Sequence, residues 1–194
     1  MVADVRTRAQ RRDRWVSWIV IALFLLALIL GWVVKALAES RYVTLNEGSV
    51  QVRYPEGWIK LDVEPPALVQ VADKVTGVRT TLALEQRPLP PVSRPLAALH
   101  QALTLFRGQN WMAYRVLGIE ESVEIGGRTA MHVTFAYVET SPDPFRETTP
   151  VVMSGEDYLI PDGDQVYVFT LTTPESNYAQ SQRYLKDFVR SFQK

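Results

Sequence analysis

The chain has 194 residues and carries 21 basic and 21 acidic side chains, so its formal net charge is zero. This length holds one ordinary domain and an appendage, but not two sizeable cores. The balanced charge argues against a nucleic-acid-binding protein. Because the chain contains no cysteine, disulfides, thiol nucleophiles and cysteine-based zinc or iron–sulfur sites are excluded.

The amino-terminal segment combines basic charge with a long apolar run. Five arginines precede Trp15, and the 20 residues from Trp15 to Val34 carry no charge. A helix of 20 residues spans about 30 Å, the thickness of a bilayer core. Arginines that precede a span favour a cytoplasmic amino terminus. We therefore expect a cytoplasmic basic tail over residues 1–14 and a retained transmembrane anchor over residues 15–37 of a single-pass cell-membrane protein.

A cleaved signal peptide is the alternative interpretation of the same segment. Ala36-Leu37-Ala38 has the small-x-small form that signal peptidase recognises. The apolar core of a signal peptide is usually about 7–15 residues long, which is shorter than this run. The length favours a retained anchor, and cleavage after Ala38 stays open.

The remaining chain is predicted to form a tether over residues 38–48 and an extracytoplasmic domain over residues 49–194. Alternatively, residues 41–45 of this tether already form the first strand of the domain. Period-two alternation, glycine turns and apolar stripes predict strands at 50–54, 78–86, 119–125, 128–139, 151–160 and 165–172, a helix at about 94–107 capped by Ser93, and a closing helix from Thr173. Strands in hairpins with few helices indicate an α+β fold with an antiparallel sheet.

Several turns and core residues of this domain carry a family resemblance. They are Tyr54-Pro55-Glu56-Gly57-Trp58, the hairpin sequence 125–130 (IGGRTA) and the closing sequence 188–192 (FVRSF). With these motifs, residues 42–194 resemble the PsbP/Mog1-like superfamily. The resemblance implies an antiparallel sheet sandwiched between helices, and a binding or assembly role more than catalysis. No functional residue of that superfamily can be matched to this sequence.

Candidate catalytic groups are few. A two-residue turn at Gly126-Gly127 would place Glu121 opposite His132. Such a pair is either a structural cross-strand contact, which we favour, or the base and its orienting carboxylate in a hydrolase-type enzyme. Neither a nucleophile elbow nor a metal-ligand or phosphate-binding spacing occurs, so no cofactor or metal is expected.

The sequence between two strands, residues 140–150 (TSPDPFRETTP), supplies a candidate partner-binding segment. Phe145 and Arg146 are of the types enriched in binding hot spots, although Phe145 can instead pack back onto the domain. We therefore predict a membrane-anchored extracytoplasmic binding or assembly module that is not an enzyme. Its partners would be the bilayer, through residues 15–37, and a protein at the outer face. The alternatives are a tethered hydrolase using His132 and Glu121, and a structural or stress-related envelope protein without a discrete ligand.

Overall fold

A computed structural model describes residues 3–39, 41–48, 50–74, 78–140 and 150–194. The chain divides into two units, residues 1–41 and residues 42–194. The first unit consists of helix α1, Ala3–Glu39. Its stretch Ser17–Val34 is long and apolar enough to cross a membrane, and none of it is buried. By length and composition this stretch fits a membrane anchor or a signal sequence.

The second unit is built mainly from strands. Its strands are β1 Tyr42–Glu47, β2 Val50–Pro55, β3 Ile59–Leu61, β4 Ala67–Ala72, β5 Thr81–Pro88, β6 Met112–Ile125, β7 Arg128–Glu139, β8 Val151–Asp162 and β9 Gln165–Pro174. Helix α2 spans Pro95–Asn110, and helix α3 spans Tyr178–Arg190 after a short 3-10 turn at Glu175–Asn177. This set of strands and helices confirms the predicted α+β fold class.

The described strands form two antiparallel sheets. The first is the β1-β2 hairpin, and the second has seven strands in the order β3-β4-β5-β9-β8-β7-β6. Gly126 and Gly127, at the β6–β7 turn, have φ of 59° and 75°. This is the left-handed region that a two-residue hairpin turn requires and glycine tolerates. The predicted hairpin is therefore confirmed.

Successive side chains of each strand point to opposite faces of the large sheet, and different elements pack on the two faces. One face buries aliphatic and aromatic residues against helix α3 and strand β2. Its members include Val52, Leu82, Leu84, Phe169, Leu171, Leu185, Phe188 and Val189. The closing helix therefore packs with its apolar stripe inward, as its sequence predicts.

Helix α2 covers only part of the opposite face. Leu99 and Leu103 pack against Met131, Val133 and Leu159 from strands β7 and β8. Over β4, β5 and the end of β9 no described helix lies on this face, and the surface there is concave. The partial cover by α2 therefore leaves a groove along the sheet.

Several predicted boundaries differ from the structure. Residues 42–47 of the expected tether form strand β1, paired with β2 through Tyr42 and Pro55, which agrees with the alternative of a first strand. Strands β3 and β4 are not predicted from the sequence, because β3 has only three residues and β4 begins directly after the prolines at 65 and 66.

Helices α2 and α3 also begin later in the chain than the sequence predicts. Arg94, not Ser93, occupies the N-cap of α2, and no side chain caps that end. Pro95 at the first helical position supplies the suitable φ without a cap. Thr173 and Pro174 remain in strand β9, because the Thr173 hydroxyl contacts those of Thr80 and Ser181 in the interior.

Candidate functional site

A groove lies between helix α2 and the open half of the large sheet. It encloses about 710 Å³, a size typical of ligand-binding pockets. Strands β5 and β9 form the floor of this groove, and the end of α2 with the start of β6 forms one wall.

The floor of the groove is polar and shallow because strand alternation presents small and hydroxyl side chains there. Thr81, Ala83, Thr170 and Thr172 line it. The Oγ1 atoms of Thr81 and Thr172 lie 2.6 Å apart across the β5–β9 pair. Each of these hydroxyls keeps hydrogen-bonding capacity beyond this mutual bond.

A buried ion pair fixes the helical wall to the sheet. Arg107 donates from Nη1 to Asp157 Oδ2 at 2.5 Å and from Nη2 to Oδ1 at 3.0 Å. Thr170 donates to the same Oδ1 at 2.7 Å. Arg107 and Asp157 are only 5% and 1% exposed. Burial acts to lower the pKa of Arg107, but the attraction and hydrogen bonds of Asp157 outweigh it and raise that pKa.

The sequence contains a signal for Arg107 that the predicted apolar stripe misses. Leu99, Leu103 and Arg107 are spaced by four residues, so they lie on one helical face. By apolar residues alone, the sequence predicts a stripe of Leu96, Leu99, Leu103 and Phe106 on this helix. In the structure Phe106 is 60% exposed and Arg107 is buried, because a buried carboxylate on β8 is available to pair with the guanidinium.

Aromatic side chains complete the wall and its rim. Trp111 stacks on Tyr137 with ring centroids 4.3 Å apart, and the Arg107 guanidinium lies 4.5 Å from the Phe135 ring centroid. Burial, aided by the charge of Glu139, raises the pKa of Tyr137 to about 12. These contacts immobilise the wall, while Phe106 and Met112 stand exposed at the rim.

The predicted pairing of His132 with Glu121 is wrong. Glu120 is the residue opposite His132, and its Oε1 lies 3.7 Å from His132 Nδ1. An irregularity in β6 between Glu120 and Val123 shifts the register by one residue. The other ring nitrogen of His132 faces Glu156, on the side of the sheet covered by α3. The structure therefore does not form the predicted His132–Glu121 pair.

Phe145 and Arg146, the predicted partner-binding residues, lie outside the described residues. In the part of the chain that is described, no three His, Cys, Asp or Glu side chains are grouped as metal ligands. The groove contributors Arg107, Trp111 and Tyr137 are site residues that the sequence analysis does not identify.

Two solved structures share the architecture of residues 42–194. One is cyanobacterial PsbP (CyanoP) from Synechocystis sp. PCC 6803, at 13% identity and a TM-score of 0.55, covering 80% of this chain and 92% of that one. The other is the Ran-binding protein Mog1p of Saccharomyces cerevisiae, at 13% identity and a TM-score of 0.52, covering 79% and 94%. The chain has a PsbP/Mog1-like fold.

This PsbP/Mog1-like architecture confirms the expected sheet with helices on its faces. No protein-family model and no curated protein matches the sequence. At 13% identity the similarity reaches the fold alone, so function must be argued from the groove and its residues.

Proposed function

We propose that the protein is a membrane-anchored extracytoplasmic binding or assembly module that is not an enzyme, and that the groove receives a protein partner. The observation that carries this proposal is the exposed apolar rim beside an immobilised aromatic wall. Phe106 and Met112 are each 60% exposed, and both line the groove. Exposed large apolar side chains grouped at a concavity are typical of interaction sites.

The internal charge pairing of the groove supports a protein ligand over a strongly charged one. Arg107 is paired with Asp157, and Arg87 donates to Glu85 at 2.8 Å. Arg79 and Glu139 also line the groove and carry opposite charges, so the groove presents no strong excess of either charge. Apolar contact and hydrogen bonding are then the main means of binding a partner. A polypeptide side chain over Trp111 with backbone groups above the threonine floor fits that surface.

Two further observations support the anchored binding role. Mog1p, which shares the fold, is a Ran-binding protein, so this architecture is compatible with protein recognition. The stretch Ser17–Val34 has the length and composition of a membrane span, and the five arginines before it favour a cytoplasmic amino terminus. In this arrangement residues 42–194 face outward. Phe145 and Arg146 stay a separate prediction for the same partner.

Photo-crosslinking in intact cells tests this proposal. A photoreactive phenylalanine analogue replaces Phe106 in one full-length variant and Lys186, an exposed residue of α3, in a matched control. We expect a discrete crosslinked protein adduct at position 106 and none of that size at position 186. Equal adducts at both positions, or none at either, would contradict a groove-specific partner and favour a structural envelope protein without a discrete ligand.

A further inference from the structure

His132 lies between two carboxylates on the α3 side of the sheet. Its Nδ1 is 3.7 Å from Glu120 Oε1 of strand β6, and its Nε2 is 3.6 Å from Glu156 Oε2 of strand β8. A neutral imidazole has one N–H and can donate toward only one carboxylate, whereas a protonated one can donate toward both. The charge state of His132 therefore decides whether one or both of these carboxylates can accept a hydrogen bond from its ring.

Glu156 extends this cluster to helix α3. Its side chain is 1% exposed, and its Oε1 accepts hydrogen bonds from Tyr178 Oη and Gln182 Nε2. Its Oε2 and the facing His132 Nε2 are both buried without a hydrogen-bond partner among the described residues. A buried carboxylate oxygen without a donor is costly. A proton on Nε2 is the donor that this position lacks.

The groups around His132 favour its charged form. Glu120 faces it from β6 and Glu156 from β8, while the Tyr158 ring stacks on the imidazole with centroids 4.6 Å apart. Helix α3 contributes Tyr178 through Glu156, and Arg190 lies close enough to act on Tyr158. The facing carboxylate of Glu156, with that of Glu120, outweighs burial and raises the pKa of His132. Burial acts to raise the pKa of Glu156, but the facing His132 and the hydrogen bonds from Tyr178 and Gln182 outweigh burial and lower it.

We propose that His132 is a pH-sensitive latch, in which protonation of the imidazole secures Glu156 and thereby the first turns of helix α3 to the sheet. The raised pKa of His132 fixes the direction of the effect. Its stabilisation is fully present below the unfolded-state pKa of about 6.5 and is lost as the pH rises through the higher folded-state pKa. Mild acid therefore tightens α3, and alkaline conditions loosen it.

NMR titration and hydrogen exchange of the full-length chain in detergent micelles test the latch. Because the chain has two histidines, His100→Gln identifies the His132 resonances. We expect the His132 pKa to lie above 6.5. After correction for intrinsic exchange, the amides of residues 178–182 should exchange at least threefold more slowly at pH 6 than at pH 8.

Variants separate the latch from a general pH effect. His132→Gln should abolish the pH dependence of exchange at residues 178–182. Glu120→Gln, at an exposed position, should lower the His132 pKa, whereas Glu121→Gln should leave it unchanged. A His132 pKa at or below 6.5, or the same pH dependence of exchange in His132→Gln, would overturn the proposal. If His132→Gln does not fold, the contrast between Glu120→Gln and Glu121→Gln decides it.

Discussion

Glu156 and Asp157 are consecutive residues of strand β8, and their carboxylates hold helices on opposite faces of the sheet. Glu156 accepts hydrogen bonds from Tyr178 and Gln182 of α3, and Asp157 accepts two from Arg107 of α2. Both side chains are 1% exposed. These two neighbouring residues thus tie α2 and α3 to one interior strand of the sheet, and Asp157 fixes the wall of the groove.

Asp157→Asn should be strongly destabilising because it leaves the Arg107 guanidinium buried without a counter-charge. We expect the free energy of unfolding to fall by about 3–5 kcal/mol, measured by urea denaturation. The double variant Arg107→Met, Asp157→Leu should recover most of the loss, since it removes both charges. A loss below about 1 kcal/mol for Asp157→Asn would mean that the ion pair does not secure α2.

Two glycine-to-alanine substitutions should change stability in opposite directions. A Cβ at Gly155 would lie 2.2 Å from Phe135 ring atoms and 2.9 Å from the Leu171 carbonyl oxygen. Since Phe135 is fully buried, Gly155→Ala should lower the free energy of unfolding by about 1–3 kcal/mol or more. Gly108 lies in helix α2 with open space around its Cβ position, so alanine should stabilise by about 0.5–1 kcal/mol. Thermal unfolding of both variants measures the contrast; equal effects would contradict the packing described for Gly155.

Local sequence pattern is enough to predict some parts of this fold. Strand β7 has the bounds that its pattern predicts, since period-two alternation and the Gly126-Gly127 turn act within one hairpin. Leu99 and Leu103 are four residues apart, which places them on one side of a helix, and both lie on the buried face of α2. Such features need only neighbouring residues to be specified.

The remainder depends on contacts distant in the chain. The pairing partner of His132 escapes prediction because a one-residue irregularity in β6 changes the register without a glycine or proline to mark it. From the local sequence, Arg107 is expected at the surface. It is buried because Asp157, 50 positions later in the chain, supplies its counter-charge. The groove itself arises because α2 covers only part of a sheet face, which no local pattern records.

Residues 42–194 should fold without the amino-terminal unit. They form a separate unit with their own buried core on both sheet faces, which is the basis for independent folding. We expect the isolated fragment to be soluble and to unfold in one cooperative transition, followed by circular dichroism in urea. A fragment that shows no cooperative transition in any buffer would contradict this domain boundary.

The predicted topology can be tested with sealed cells. Protease added outside should digest residues 42–194 and leave an epitope tag placed before Arg6 intact, because arginines that precede an apolar run favour a cytoplasmic amino terminus. Disruption of the membrane should expose the tag. A mature protein that begins at Glu39 would show instead that the segment is a cleaved signal sequence.

The most direct test of the binding role is to fill the groove and measure partner capture at its rim. Ala83 lies on the floor, so Ala83→Trp should block the groove, while Lys186→Trp changes an exposed position of α3 and serves as the control. In cells carrying the photoreactive residue at position 106, we expect Ala83→Trp to reduce the crosslinked adduct at least tenfold. Lys186→Trp should leave it unchanged, with melting temperatures close to that of the parent in both variants. An undiminished adduct in folded Ala83→Trp would contradict the groove as the partner site.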